Sequence, residues 1–135
     1  VHGTLFHFIC SECRSDYPHP VDIPSEEVLR AEPPVCPYCG APIRPDIVWF
    51  GEMLPHIPWE RSVAAAEHCD VYLTVGTSAV VQPAATLPRI AAHAEKPVIE
   101  INPARTPESS LCDVSLRMSA SEALPLLLAA RKAAA

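Results

Sequence analysis

Val71-Tyr72-Leu73-Thr74-Val75-Gly76-Thr77-Ser78 decides the fold. An uncharged run rich in β-branched side chains passes straight into Gly-Thr-Ser, the pattern of a parallel strand that is buried on both faces and ends in a loop. Helical signals flank it. A helix is expected over Trp59 to His68, and on the far side Leu87, Ile90, Ala91 and Ala94 make one apolar stripe behind the start signal at Pro83. Pro88 falls early in that second helix, where it is expected to kink it. The pattern then recurs: Val98-Ile99-Glu100-Ile101 follows the breaker Lys96-Pro97 and stops at Asn102-Pro103. A shorter strand, Val114 to Leu116, precedes a final helix in which Leu124, Leu127 and Leu128 share a face. Ser121 is its expected N-cap and Pro125 lies in its first turn. Residues 132–135 read as a frayed tail.

Strands alternating with helices imply an α/β protein with a parallel sheet and right-handed crossovers. A doubly wound dinucleotide-binding sheet is built from two halves, and its Gly-rich phosphate loop, G-x-G-x-x-G, belongs to the first. That loop does not occur here. Residues 59–131 are therefore expected to form the second half of a Rossmann-like sheet, without the first.

Residues 1–58 follow different rules: they are rich in Cys, Pro and turn formers and have no long helical period. Cys10-x-x-Cys13 and Cys36-x-x-Cys39 are two knuckles separated by 22 residues, with Gly40 directly after the second. Such knuckles place four thiolates around one Zn2+ at about 2.3 Å, a closed geometry that leaves no position for chemistry. Two rivals remain. Disulfides need an oxidising compartment, for which there is no secretory signal, and a redox C-x-x-C would end a strand and open a helix rather than lie among turns. A cytoplasmic location is expected. Cys69 and Cys112 stand alone and are read as buried or semi-buried thiols, and His7, His19, His56, His68 and His93 as surface or packing residues.

The 135 residues are 49% hydrophobic, enough for a core, and 16 prolines punctuate short elements rather than forming a linker. A net charge of −6 with ten scattered Lys and Arg residues argues against a nucleic-acid partner. No apolar run approaches the roughly 20 residues of a spanning helix, so no membrane role is indicated. The chain begins at Val1 on a short polar turn, and an upstream segment is expected to have been removed.

The ordered combination of His2-Gly3, the four-Cys ribbon, Arg44-Pro45-Asp46-Ile47-Val48-Trp49-Phe50-Gly51-Glu52, Gly76-Thr77-Ser78, Val81-Gln82-Pro83-Ala84 and Ile101-Asn102-Pro103 resembles the sirtuins over about residues 1–128. The resemblance implies an NAD-dependent protein-lysine deacylase with one structural zinc held by Cys10, Cys13, Cys36 and Cys39. His2 matches the family's catalytic general base, a task suited to an imidazole at physiological pH. Gly76, Thr77 and Ser78 match the NAD-contacting loop. Asn102, Pro103 and Ala104 match the adenosine-ribose contact, and Ala120 a backbone contact near the adenine. Val48, Phe50, Gly51 and Glu52 match the segment that pairs with an acylated-lysine peptide by strand addition, with Ser78 to Val81 leading into the facing segment.

The departures matter as much. The family's Gly-Ala-Gly loop, its flexible cofactor segment and its Gln-Asn-Ile-Asp region have no counterpart in the chain, which alone is expected neither to bind NAD tightly nor to turn over. Trp49 before Phe-Gly-Glu resembles the branch with prokaryotic and desuccinylating members, but the residues that read an acidic acyl group lie upstream, leaving acyl preference open. The rival to the enzyme is a noncatalytic zinc-ribbon interaction module. A half-sheet with an unpaired edge is also expected to self-associate.

Overall fold

The computed structural model describes residues 1–27 and 30–134. Two compact units are present, Val1–Pro55 and the segment from His56 onward. The division falls just ahead of the expected one, because the first helix of the second unit begins at His56 rather than Trp59. Pro58 lies in that helix's first turn, where a missing N–H removes no bond.

The first unit is a ribbon. Strands β1 (Gly3–Cys10) and β2 (Ile43–Ile47) pair antiparallel, with Gly3 opposite Ile47 and Cys10 opposite Ile43. The register shifts between Thr4 and Phe8, and at this irregularity Leu5 and Phe6 are exposed to solvent. Gly3 is required at its place: φ is +78°, and a Cβ there would lie 1.9 Å from the Asp46 carbonyl oxygen. The buried core is small. Cys10, Cys36 and Ile43 form one cluster, with Phe8, Tyr17 and Ala41 packed against them, and Ile9 is buried as well.

The second unit contains α1 (His56–His68), β3 (Tyr72–Val75), α2 (Leu87–His93), β4 (Val98–Ile101), β5 (Val114–Leu116) and α3 (Ala120–Ala134). Its strands are parallel in the order β3-β4-β5, with Tyr72 opposite Val98 and Ile99 opposite Val114. A 3-10 turn at Ala84–Thr86 leads into α2, and Pro88 sits buried in the first turn of that helix. A second 3-10 turn, Ser109–Leu111, lies between β4 and β5. Ala66 of α1, Ala91 of α2 and Val98 of β4 form one core cluster, with Tyr72, Leu87, Ile90 and Leu111 around them, and Ile101 of β4 and Ala123 of α3 are also buried. The parallel sheet and the ribbon are those expected of an α/β half-sheet bearing a four-Cys insert.

Two details of α3 differ from expectation. Its cap is Ser119, not Ser121: the Ser119 hydroxyl accepts the Glu122 N–H at 3.3 Å while the Glu122 carboxylate accepts the Ser119 N–H at 3.0 Å. This reciprocal capping box is worth about 1 kcal/mol, and its S-x-x-E spacing is in the sequence. The helix also continues through Ala134, beyond the expected start of a tail, while Ala135 lies outside the described residues. Ala123 is the buried residue of α3, whereas Leu124, Leu126, Leu127 and Leu128 are exposed.

Candidate functional site

The four knuckle sulfurs come together as the spacing requires. Cys10 Sγ lies 3.4 Å from Cys39 Sγ, Cys13 Sγ 3.7 Å from Cys36 Sγ and 3.6 Å from Cys39 Sγ, and all four lie within 4.8 Å of one another. A sulfur tetrahedron drawn around zinc at about 2.3 Å has edges of about 3.8 Å, so the cluster fits the ion closely. The separations exclude disulfides, which bring sulfurs to about 2.0 Å. All six cysteines are free thiols.

Local electrostatics are those of a cation site. The Ser15 hydroxyl and N–H hold the Cys13 thiol down to about 6. Burial works against ionisation of Cys10, yet the N–H groups of Glu12 and Cys13 keep it below the ordinary thiol value. Cys39 receives help from the Ala41 N–H, but the neighbouring sulfurs outweigh it and push Cys39 up to about 12. Four thiolates cannot share so small a volume without a positive ion at the centre.

Elsewhere in the ribbon, the His2 side chain is exposed and its carbonyl accepts the Val48 N–H at 3.0 Å. This bond ties His2 to the start of the Val48–Glu52 segment. That segment is a tight turn in which Gly51 has φ +89° and the Glu52 N–H donates to the Trp49 carbonyl. Phe50 and Gly51 are exposed and Val48 is half-buried. Glu52 is engaged within the protein: Arg44 forks onto both of its oxygens, and the Trp49 N–H donates to Oε2 at 3.0 Å. The Arg44 hydrogen bond holds the Glu52 carboxyl down to about 2. Arg44 also lies over the Trp49 ring, 4.1 Å from its centroid. Arg44 was not a sequence candidate, although a basic residue eight positions before an acidic one across a Gly turn is a visible pairing signal.

In the second unit, the candidate cofactor residues gather at the carboxyl ends of adjacent parallel strands, where open α/β sheets bind ligands. Gly76 follows β3 with φ +64°, and nothing lies within 4 Å of the position a Cβ would take. Backbone is thus open to close approach there. The Gly76 N–H donates to the Ile101 carbonyl, and Asn102 Nδ2 donates to the Thr77 carbonyl at 2.7 Å. Asn102 Oδ1 accepts the Ala104 N–H at 3.1 Å, and Pro103 and Ala104 are exposed. Thr77 and Ser78 are exposed beside them. Ala120 opens α3 just after the end of β5 and is half-buried. The open glycine backbone and the half-used Asn102 amide suit an NAD adenosine half; the pyrophosphate cradle of such a sheet belongs to its other half. Glu100 and Arg117 beneath these loops also went unread, although a carboxylate within the apolar run Val98–Ile101 is a conspicuous signal.

A half Rossmann-like sheet with a four-cysteine ribbon defines the class, an α/β protein whose Cys10, Cys13, Cys36 and Cys39 could hold one structural zinc. Within that class the chain belongs to the Sir2 family, whose model matches residues 1–83. The chain is 53% identical over 128 residues to the NAD-dependent protein deacylase Sir2 of Mycolicibacterium smegmatis, covering 95% of this chain and 53% of that protein. It is 51% identical over 128 residues to the NAD-dependent protein deacylase of Mycobacterium leprae, covering 95% of this chain and 54% of the relative. A crystal structure of a Sir2 homologue with NAD superposes with a TM-score of 0.84 at 40% identity, over 99% of this chain and 51% of the other. The chain thus spans about half the length of the curated relatives it matches. Among the described residues, no helix is long and apolar enough to cross a membrane.

Proposed function

We propose that this chain is the carboxyl-terminal part of an NAD-dependent protein-lysine deacylase acting in the cytoplasm. The observation that carries the proposal is the pairing of Gly76-Thr77-Ser78 with Asn102-Pro103-Ala104 at neighbouring strand ends, tied by the 2.7 Å bond from Asn102 to Thr77. Bound NAD supplies the ADP-ribosyl acceptor and nicotinamide as leaving group. The acyl group passes from lysine to ADP-ribose, one water is consumed, and free lysine, nicotinamide and O-acyl-ADP-ribose result.

Within that reaction this chain's residues have distinct tasks. His2 takes the proton from a ribose hydroxyl, its backbone fixed by Val48 and its imidazole left exposed to reach it. Val48, Phe50 and Gly51 offer backbone and apolar surface to an extended acyl-lysine peptide. Gly76, Thr77, Ser78, Asn102, Pro103, Ala104 and Ala120 contact the cofactor. Zinc holds the ribbon and takes no part in the chemistry.

The reading is tested in the full-length enzyme with NAD and an acetylated peptide. His2→Ala is expected to abolish nicotinamide release while zinc content stays the same. Turnover that survives the substitution removes His2 from the role. Absence of turnover by the unsubstituted enzyme with acetylated or succinylated peptides favours a zinc-ribbon interaction module instead.

A further inference from the structure

Glu100 sits in the middle of β4 with only 2% of its surface exposed. An isolated carboxylate at such a position is costly, and it persists only with a full set of donors. It has them. Thr106 Oγ1 donates at 2.6 Å, Ser109 Oγ at 2.7 Å, Ser115 Oγ at 3.1 Å, and an Arg117 nitrogen lies 2.6 Å away. Two of these donors come from the connection between β4 and β5, one from β5 itself, and Arg117 from the residue directly after β5.

The other arm of Arg117 points to the strand-end turn. Its NH1 donates to the Asn102 carbonyl at 3.2 Å and to the Ala104 carbonyl at 3.0 Å, the two that bracket Pro103. Asn102 in turn reaches Thr77 with its side chain. A continuous path of bonds thus runs from a buried carboxylate, through one guanidinium, to the turn after β4 and on to the loop after β3. Packing alone does not account for it: a buried ion pair is often no more stabilising than an apolar pair of the same volume, and Ile99 and Ile101 on either side show what the strand otherwise carries. Glu100 supplies what isoleucine could not, an anchor that holds a planar five-donor fork in one orientation.

We propose that Arg117, anchored by Glu100, is a positioning residue for the Asn102–Ala104 turn, holding it in its adenosine-binding shape before the ligand arrives. This rests on the assignment of that turn to the cofactor. A preformed turn lowers the ordering cost of binding. Because Glu100 neutralises its charge, Arg117 acts through the turn and not as a phosphate ligand.

The test uses Arg117→Lys, Glu100→Gln and Asn102→Ala. A lysine ammonium can still pair with Glu100 but cannot span the carboxylate and both carbonyls. Hydrogen exchange of the 135-residue chain without ligand is expected to quicken about tenfold or more at Ala104 and Thr106 in Arg117→Lys, with Leu73 to Val75 unchanged. In the full-length enzyme, Arg117→Lys and Glu100→Gln are expected to raise the KM for NAD about tenfold while kcat and the KM for acyl-peptide stay within about twofold. A KM for NAD within about twofold of the unsubstituted enzyme in Arg117→Lys, or faster exchange across the whole sheet, overturns the positioning role. If Asn102→Ala raises that KM and Arg117→Lys does not, only the positioning role fails. If Asn102→Ala leaves it unaltered, the cofactor assignment of the turn fails as well.

Discussion

Stripping zinc from the protein with a chelator at neutral pH should unfold the ribbon and spare the parallel sheet. Two of the four buried hydrophobic residues described in the ribbon, Cys10 and Cys36, are themselves candidate ligands, leaving only Ile9 and Ile43 as buried aliphatic side chains. Closing a four-thiolate zinc site contributes about 10–16 kcal/mol in small zinc domains, as much as the whole stability of about 5–15 kcal/mol of an ordinary domain. So small a core cannot make good that loss. The second unit has its own core at Ala66, Ala91 and Val98, and no thiol of the zinc cluster belongs to it. Metal analysis should find one zinc per chain. Exchange measured after chelation should show the amides of Ile9, Cys36 and Ile43 opening together while Tyr72, Val98 and Ile101 stay protected. Purified protein without zinc, or ribbon amides that remain protected once zinc is removed, would refute the reasoning.

The remaining expectations concern the second unit. Burial opposes ionisation of Glu100, but its hydroxyl and guanidinium donors prevail and hold it down to about 2 from an ordinary 4.5. A carboxyl depressed in the folded state contributes stability that is complete above its unfolded pKa and disappears as pH falls through the folded one. Wild-type protein should therefore lose about 2 kcal/mol more than Glu100→Gln between about pH 5 and pH 3 in denaturant titrations, and parallel losses would exclude the effect. β3 is an edge strand of the described sheet, and Leu73 and Val75 on it are 50% and 37% exposed. The purified chain should accordingly self-associate, and light scattering that finds only monomer over a wide concentration range would contradict this.

Much of this was legible in the sequence because it is local. C-x-x-C pairs report a metal knuckle through spacing alone, and β3 and β4 announce themselves as apolar β-branched runs closed by Gly or Asn-Pro. What escaped depends on pairing between distant segments. Glu100 and Arg117 become neighbours only when β4 and β5 align with Glu100 opposite Ser115. The cap of α3 escaped for a different reason: Ser119 and Ser121 are both good caps, and only the Glu three residues after Ser119 decides between them. The leucines of α3 share a helical stripe, yet a stripe says nothing of whether a partner surface exists, and they are exposed.

The segment after β2 shows how an internal bond limits what a loop can recognise. Glu52 matches the peptide-pairing segment by resemblance, but its carboxylate is not free to meet a peptide. Its two oxygens are instead taken by the Arg44 fork and the Trp49 N–H, and the Arg44 side chain is only 13% exposed. The clamp fixes the turn but leaves no unpaired charge on it. What the turn can offer a peptide is main-chain donors and acceptors and the exposed ring of Phe50. Recognition by backbone pairing accepts many sequences. On the proposed reading, the same ion pair that fixes the substrate segment leaves it no charge to read a peptide's side chains, so discrimination among peptide sequences by charge has to come from residues outside Val48–Glu52.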